Sequence, residues 1–525
     1  MKDNTLLIDS SVVPTELTFS PNFNVSAPFI DIHLDEGREN KVAIRTLESD
    51  ITYRELFENV NRAGNALKNL EIEKGDRVLM VIKDSPEFFY VFWGAIKAGY
   101  IPVPISTLLR AKDYTFIIED SDCAVAIYSP EYDEKFETAL IATKNSPEFN
   151  ICTEGNKGSL VSLMSASKGT LMAYPSKADD DCFWLYTSGS TGTPKGAVHA
   201  HKDMVITSQY YGVETLGITA EDVHYSAAKL FFAYGLGNAM SFPLWTGGQA
   251  VLYSGRPTPK TVYDTIKTFN PSIFYGVPTL YGAQLHALNK DIKIFSSLRL
   301  CVSAGEPLPE IIFKKWKEKT GLTILDGIGT TETLHIFISN RLDVLKPGTS
   351  GKLVPGYQAK IVDKFNNTLG VNKIGDLMIK GESIISRYWK LPKRSSESLI
   401  DGWIRTGDSY FIDEDGFFVC YGRSDDMLKV GGIWVSPVEI EAQLISHEKV
   451  LEAAIVGRHD KDRLIKPEAY VVLKDPNSYS KFLTEELREY CKRNLAPYKY
   501  PRWFNFVKEL PKTSTGKIQR FRLRE

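Results

Sequence analysis

Thr187-Ser188-Gly189-Ser190-Thr191-Gly192-Thr193-Pro194-Lys195-Gly196 gathers serine and threonine hydroxyls, three glycines and a lysine within ten residues. Glycines let a backbone approach an anion and turn its N–H groups toward it, hydroxyls add donors, and lysine adds a compact positive charge. The composition is that of a phosphate-binding loop. The preceding Cys182-Phe183-Trp184-Leu185-Tyr186 reads as a short buried strand, which places the loop at a strand end, where α/β folds bind ligands. A plain glycine-serine surface turn would not need this density of donors beside Pro194-Lys195-Gly196. The spacing lacks the glycine, four residues and Gly-Lys-Ser/Thr of the Walker pattern, which argues against a P-loop NTPase.

Toward the N-terminus, helical and strand-like patterns alternate. Thr52 opens an amphipathic run through Leu67, with Leu56, Val60, Ala63 and Leu67 at helical spacing, and strand-like Arg77–Ile82 follows. Glu87–Ala98 reads as a helix and Ile101–Ile105 as a strand. Toward the C-terminus, Ala250–Leu252, Ser272–Val277 and Leu298–Val302 read as strands and Pro259–Phe269 as a helix. The pattern predicts an α/β fold of two largely parallel subdomains, about 1–185 and 186–345. From Gly348 to Tyr421 short strands with frequent glycines predict a β-rich subdomain, 346–424. The polar, glycine-flanked stretch Gly422–Gly432 marks a boundary, after which 425–525 reads as a small mobile α+β domain.

The 525 residues are 43% hydrophobic and 24% charged, the balance of a soluble globular chain of several units. The first residues lack the order of a secretory signal, and the apolar run Tyr90–Ile105 is broken by Lys97 and Pro102, so a cytoplasmic protein without a membrane span is expected. Six scattered cysteines suggest neither a disulfide framework nor a zinc site, and His199 with His201 lacks further ligands. Net charge is −2, but Asp426–Glu525 carries 19 Lys and Arg against 14 Asp and Glu, an excess of five positive charges. Without basic runs interleaved with aromatics, that excess points to a phosphate-bearing small molecule rather than nucleic acid.

Four further segments gain meaning beside the loop. Asp326-Gly327-Ile328-Gly329-Thr330-Thr331-Glu332 follows strand-like Leu322–Leu325 and sets a carboxylate after two glycines, as needed to hold Mg²⁺ near phosphate. Arg405-Thr406-Gly407-Asp408 offers a carboxylate able to accept two ribose hydroxyls. Arg423 and Asp425 sit at the boundary, where a surface ion pair is the plainer reading. Pro511–Arg520 carries Lys517 on another glycine-hydroxyl stretch.

In this order the segments resemble the acyl-adenylate-forming superfamily of acyl-coenzyme A ligases, luciferases and peptide-synthetase adenylation domains. The resemblance implies that Ser188, Gly189, Ser190, Thr191 and Lys195 embrace the ATP phosphates, with Thr187 and Lys517 in the catalytic set and Glu332 holding Mg²⁺. It implies that Ala304, Gly305, Glu306, Asp326, Gly327, Ile328 and Thr331 line the nucleotide, and that Asp408 and Arg423 meet ribose or phosphate. Most relatives have an aromatic residue where Ile328 stands, so adenine would stack here on an aliphatic side chain. Asp425 would be a hinge bringing Lys429, Gly431 and Gly432 toward coenzyme A.

Lys229–Asn238 and Thr333–Asn340 look closer to the benzoate–coenzyme A ligases and their aryl relatives. Phe232, Ala233, Tyr234, Gly235 and Ile336 would form a flat apolar slot, with Gly327 and Gly329 leaving room for a ring. At least one of Phe231 and Phe232 is expected to be a core aromatic, and His335 can face either substrate or core. The implied reaction joins an aromatic acid to coenzyme A, using ATP with Mg²⁺, in a monomer or homodimer. Two alternatives share the motifs: an adenylating enzyme loading a carrier protein, and a catalytically silent nucleotide-binding protein.

Overall fold

The computed structural model describes every residue except 189–192, 289–291, 431–432, 462, 513–516 and 525. The helix Tyr53–Lys68 starts at Thr52, whose hydroxyl accepts the Glu55 N–H at 3.2 Å while the Glu55 carboxylate accepts the Thr52 N–H at 2.8 Å. This reciprocal cap fixes the helix start, and Leu56, Val60, Ala63 and Leu67 are buried along one face as the spacing predicts. Pro86–Ala98 is apolar all round and is buried from Phe88 to its end. It packs against Tyr53–Lys68, where a Cβ on Gly94 would stand 2.8 Å from the Val60 carbonyl oxygen.

Arg77–Val81, Ile101–Pro104, Cys123–Tyr128 and Phe149–Cys152 form a four-stranded, all-parallel sheet. A nine-stranded sheet holds a parallel centre running from Ile324–Gly329 through Leu300–Ser303, Ile273–Gly276, Val223–Ser226 and Gln249–Val251 to Val42–Arg45. The helix Pro259–Phe269 has the bounds that the spacing predicts. Strand pairing crosses the boundary expected at 185/186. Val42–Arg45 belongs to the second sheet, and Asp181–Ser188 runs through the boundary itself.

The strand before the glycine-hydroxyl loop is not part of either parallel sheet. Asp181–Ser188 pairs antiparallel with Pro194–Ala200, Thr187 facing Lys195 and Ser188 facing Pro194, so the loop closes a hairpin. Arg387–Tyr388 adds a third strand on the far side of Pro194–Ala200. A second difference lies at residues 326–329, expected to be loop. The strand Ile324–Gly329 continues through them, antiparallel to Ile336–Ser339. A Cβ on Gly327 would stand 2.8 Å from the Ile338 carbonyl oxygen, and one on Gly329 would stand 2.5 Å from that of His335. At Gly327 the space that a side chain would take is filled by the chain's own backbone, while Gly329 borders the cavity of the candidate site. Gly327→Ala should therefore lower stability by about 1–3 kcal/mol, read as a lower urea midpoint with unchanged slope.

Gln358–Val362, Gly375–Lys380, Trp403–Ile412, Leu399–Ile400 and Phe418–Arg423 make the expected β-rich sheet. Beyond it, Val450–His459, Ile465–Leu473 and Trp503–Phe506 form a three-stranded sheet with helices Pro437–Ser446 and Lys481–Asn494. Val435, Ile440, Leu444, Ile455 and Leu487 close a core of their own there. Among the described residues no helix is long and apolar enough to cross a membrane, and all six cysteines are free.

Candidate active site

The hairpin brings Thr187 and Lys195 side by side at its base. The Lys195 ammonium lies over the Tyr388 ring, 5.0 Å from its centroid. Burial lowers its pKa, as does the charge of Arg394, while Glu332 opposes the shift. Glu332 sits in the short turn Thr331–Thr333, where Oε1 accepts the Tyr388 hydroxyl at 2.8 Å and its carbonyl accepts the Ile385 N–H at 2.9 Å. One predicted phosphate ligand and the predicted metal ligand thus share a neighbour, Tyr388, that the sequence reading did not single out.

His199 ties the hairpin to the same turn. Its Nδ1 lies 2.8 Å from Oδ2 of Asp203, and its Nε2 lies 2.9 Å from the Thr331 carbonyl oxygen. A carbonyl accepts only, so Nε2 carries a proton and donates to Thr331, wherever the proton between Nδ1 and Asp203 resides. His199 and Asp203 are both buried, and Phe183 stacks on the imidazole. The Thr331–Glu332 turn is therefore fastened from two strands of the three-stranded sheet.

Beside this turn lies a cavity of about 740 Å³, its open mouth included. Its walls are Leu185, Tyr186, Phe231, Phe232, Ala233, Tyr234, Leu334, His335 and Ile336, and its mouth carries Ala304, Gly305, Gly329, Thr331 and Lys517. Phe231 and Phe232 both line it, their rings meeting edge-on at 4.7 Å. His335 belongs to wall and core together. It packs 4.5 Å from the Phe242 ring and 5.1 Å from the Tyr211 ring, with Nε2 3.2 Å from Oδ1 of Asn238. Burial pulls its pKa down to about 3, so it is neutral near pH 7. The Tyr234 hydroxyl donates inward to the Gly276 carbonyl oxygen at 3.2 Å, which turns the ring's apolar body to the cavity.

Gly235, predicted to line the slot, does not. A Cβ there would stand 2.0 Å from the Lys229 carbonyl oxygen, so this glycine serves the tight turn behind the wall. The Lys229–Phe232 stretch is anchored from the first sheet by buried Asp84, whose Oδ1 accepts the Leu230 N–H at 3.1 Å. Gly327 and Ile328 lie in the paired strand, and the Asp326 carboxyl is buried, raised well above the usual range by that burial, with Oδ2 accepting the Leu308 N–H at 3.3 Å.

At the mouth, a Cβ on Gly305 would stand 3.5 Å from Cε of Lys517, and Gly305 has the left-handed φ of +95°. Oε1 of Glu306 accepts the Ile518 N–H at 2.9 Å, fastening the tail that carries Lys517 to this loop. Asp408 lies opposite Arg423, with Oδ1 3.3 Å from Nη1, and burial raises its carboxyl while Arg423 and Lys517 pull it back. Gly407 is fixed by the same contact, since a Cβ there would stand 2.8 Å from Nη2 of Arg423. Arg423 also reaches Asp425 at 3.5 Å, which is exposed in the turn before Leu428–Val430. Lys429 is exposed on that strand, away from the cavity lining.

Lys517, Glu332, Thr331, Lys195, Asp408 and Arg423 thus come together from segments far apart in sequence. Gly189, Ser190, Thr191, Gly431 and Gly432 lie outside the described residues. Tyr186, Leu185 and Leu334 were missed as wall residues. Tyr186 directly precedes the loop, and its place at the strand end was the available signal.

Residues 33–389 match the model of the AMP-binding enzyme family, and residues 439–517 match that of the AMP-binding enzyme C-terminal domain. The chain is 45% identical over 522 residues to a benzoate–CoA ligase of Thauera aromatica, covering 98% of each. It is similar to the crystal structure of an anthranilate CoA ligase in complex with anthranoyl-AMP, with a TM-score of 0.92 and 42% identity over 96% of this chain and 97% of that one. A benzoate CoA ligase from Burkholderia xenovorans LB400 superposes with a TM-score of 0.90 at 41% identity, over 96% of this chain and 100% of that one.

Proposed function

The chain belongs to the AMP-binding enzyme family, and from that premise we propose that it joins an aromatic carboxylate to coenzyme A through an aryl-adenylate, releasing AMP and pyrophosphate. The observation that carries this reading is the cavity itself. It is an apolar, aromatic-walled slot whose mouth carries Lys517, with Glu332 on the adjoining turn and Asp408 on the strand Trp403–Ile412. Such a slot favours a flat ring, and a neutral His335 adds no charge to repel or attract the acid.

In the first half-reaction the slot holds the ring so that a carboxylate oxygen attacks the ATP α-phosphorus in line. Lys517 supplies positive charge to the phosphoryl oxygens as negative charge builds there, and Lys195 does so toward the departing pyrophosphate. Asp408 accepts from the ribose hydroxyls, oriented by Arg423. Among the described residues no three His, Cys, Asp or Glu gather as a metal cage. Glu332 offers a single carboxylate, which suits magnesium, an ion that takes most of its ligands from phosphate and water. Bound there, the ion neutralises phosphate charge.

In the second half-reaction the coenzyme A thiolate attacks the acyl carbon and AMP departs. Lys517 occupies the mouth through which the thiol must come. Rotation of the C-terminal domain about Asp425 withdraws it and presents the Lys429 strand instead, whose exposure here is consistent with such a second position. The positive excess of Asp426–Glu525 then meets the coenzyme A phosphates.

Pyrophosphate release across substituted benzoates and aliphatic acids, with coenzyme A present, tests this reading. Benzoate, aminobenzoates or hydroxybenzoates should turn over fastest, and a preference for an aliphatic acid would overturn it. Thioester formation with free coenzyme A, compared with an acyl-carrier protein, separates the ligase from a carrier-loading enzyme.

A further inference from the structure

We infer that Tyr388 is a positioning residue for ATP, a spacer that keeps Lys195 and Glu332 from pairing with each other. The inference rests on the ATP site proposed above and concerns a residue that contacts neither reacting atom. Tyr388 is 5% exposed and its backbone is fixed on three sides. The Trp389 N–H donates to the Gly196 carbonyl oxygen at 2.8 Å, the Ser386 N–H to that of Val198 at 3.2 Å, and the Tyr388 N–H to Oγ of Ser395 at 3.0 Å. From that fixed base the side chain answers two charges at once. Its hydroxyl donates to Oε1 of Glu332 at 2.8 Å, and its ring face receives the Lys195 ammonium 5.0 Å from the centroid.

Two opposite charges that share one neighbour and feel each other's field, in a partly desolvated cleft, attract strongly enough to form a direct ion pair. Among the described residues Lys195 and Glu332 form none. The phenol hydroxyl, which holds the carboxylate away from the ammonium, is the reason. A hydrogen bond satisfies one carboxylate oxygen and the quadrupole satisfies the ammonium, so each charge is held without being neutralised by the other. Both then remain available, the ammonium for phosphate and the carboxylate for the cation that accompanies it. Removing the hydroxyl alone frees Glu332 to swing to Lys195, which would remove two phosphate-directed charges with one oxygen atom.

Isothermal titration with no acyl acid present reads this directly. The titrants are ATP with magnesium and, separately, AMP, which lacks the β- and γ-phosphates. Tyr388→Phe keeps the buried ring, so it should melt within a few degrees of the wild type. It should bind ATP with magnesium about tenfold more weakly, the loss of one hydrogen bond to a charged group, and bind AMP within twofold of the wild type. Because both changes disable the same lysine, Tyr388→Phe combined with Lys195→Ala should bind ATP no more than twofold more weakly than Lys195→Ala alone. Unchanged ATP binding, an equal loss for AMP, or multiplicative losses in the double variant would overturn the inference. A wild type that binds neither nucleotide would overturn the ATP site beneath it, which distinguishes the two failures.

Discussion

Lys517→Ala is expected to slow aryl-adenylate formation by about 10²–10³-fold, the usual loss when one preorganised charge is removed from a transition state that builds negative charge. The expectation rests on where the side chain lies. Lys517 lines the cavity mouth beside Gly305, and its charge acts on the carboxyls of Asp408 and Glu306. Thioester formation from a chemically prepared aryl-adenylate should change only a few-fold, since that half-reaction requires the lysine to be elsewhere. ATP–pyrophosphate exchange measures the first step and rapid-quench trapping of the thioester the second. Equal losses in both would refute the division of labour. So would an alanine variant whose exchange rate matches the wild type.

Asp425→Pro should do the opposite. The residue is exposed between Phe418–Arg423 and Leu428–Val430, touching Arg423 at 3.5 Å and nothing that lines the cavity. Proline fixes φ at this position and restricts Ser424 before it, so rotation about the turn becomes costly while the position described here is kept. Adenylation should stay within about threefold of the wild type, and thioester formation should fall by about 10²-fold or more if domain rotation gates it. Equal loss of both half-reactions would mean that proline disturbs the site itself. Loss of neither would remove the hinge from Asp425.

Helix Pro259–Phe269 and the capped helix Tyr53–Lys68 were readable because caps and apolar spacing act over a few residues. The hairpin at Thr187 was not, since a strand followed by glycines looks the same whether the next element is a helix or a returning strand. Residues 326–329 misled for a related reason. Glycine suits an open loop and also a strand pressed against its neighbour, and only the Ile336–Ser339 partner decides between them. Lys517, Glu332 and Asp408 stood out because their residue types are chemically demanding at those spacings. Tyr388 did not, because its importance lies in what stands on either side of it, and those neighbours come from the Pro194–Ala200 strand and the Thr331–Thr333 turn.

Val42–Arg45 finds its parallel partner only in Gln249–Val251, roughly two hundred residues later. A chain emerging from the ribosome therefore carries an apolar strand paired on one edge only, by Asp50–Thr52, with Ala43 and Ile44 destined for the interior, until Gln249–Val251 is made. The four-stranded sheet, whose strands all fall between residues 77 and 152, can close long before that, although the nine-stranded sheet begins ahead of it. Nascent chains halted before residue 249 should be protected from protease within 77–152 and cut readily near Val42. Chaperone dependence during synthesis follows from this wait, set by chain order rather than by the stability of the finished enzyme.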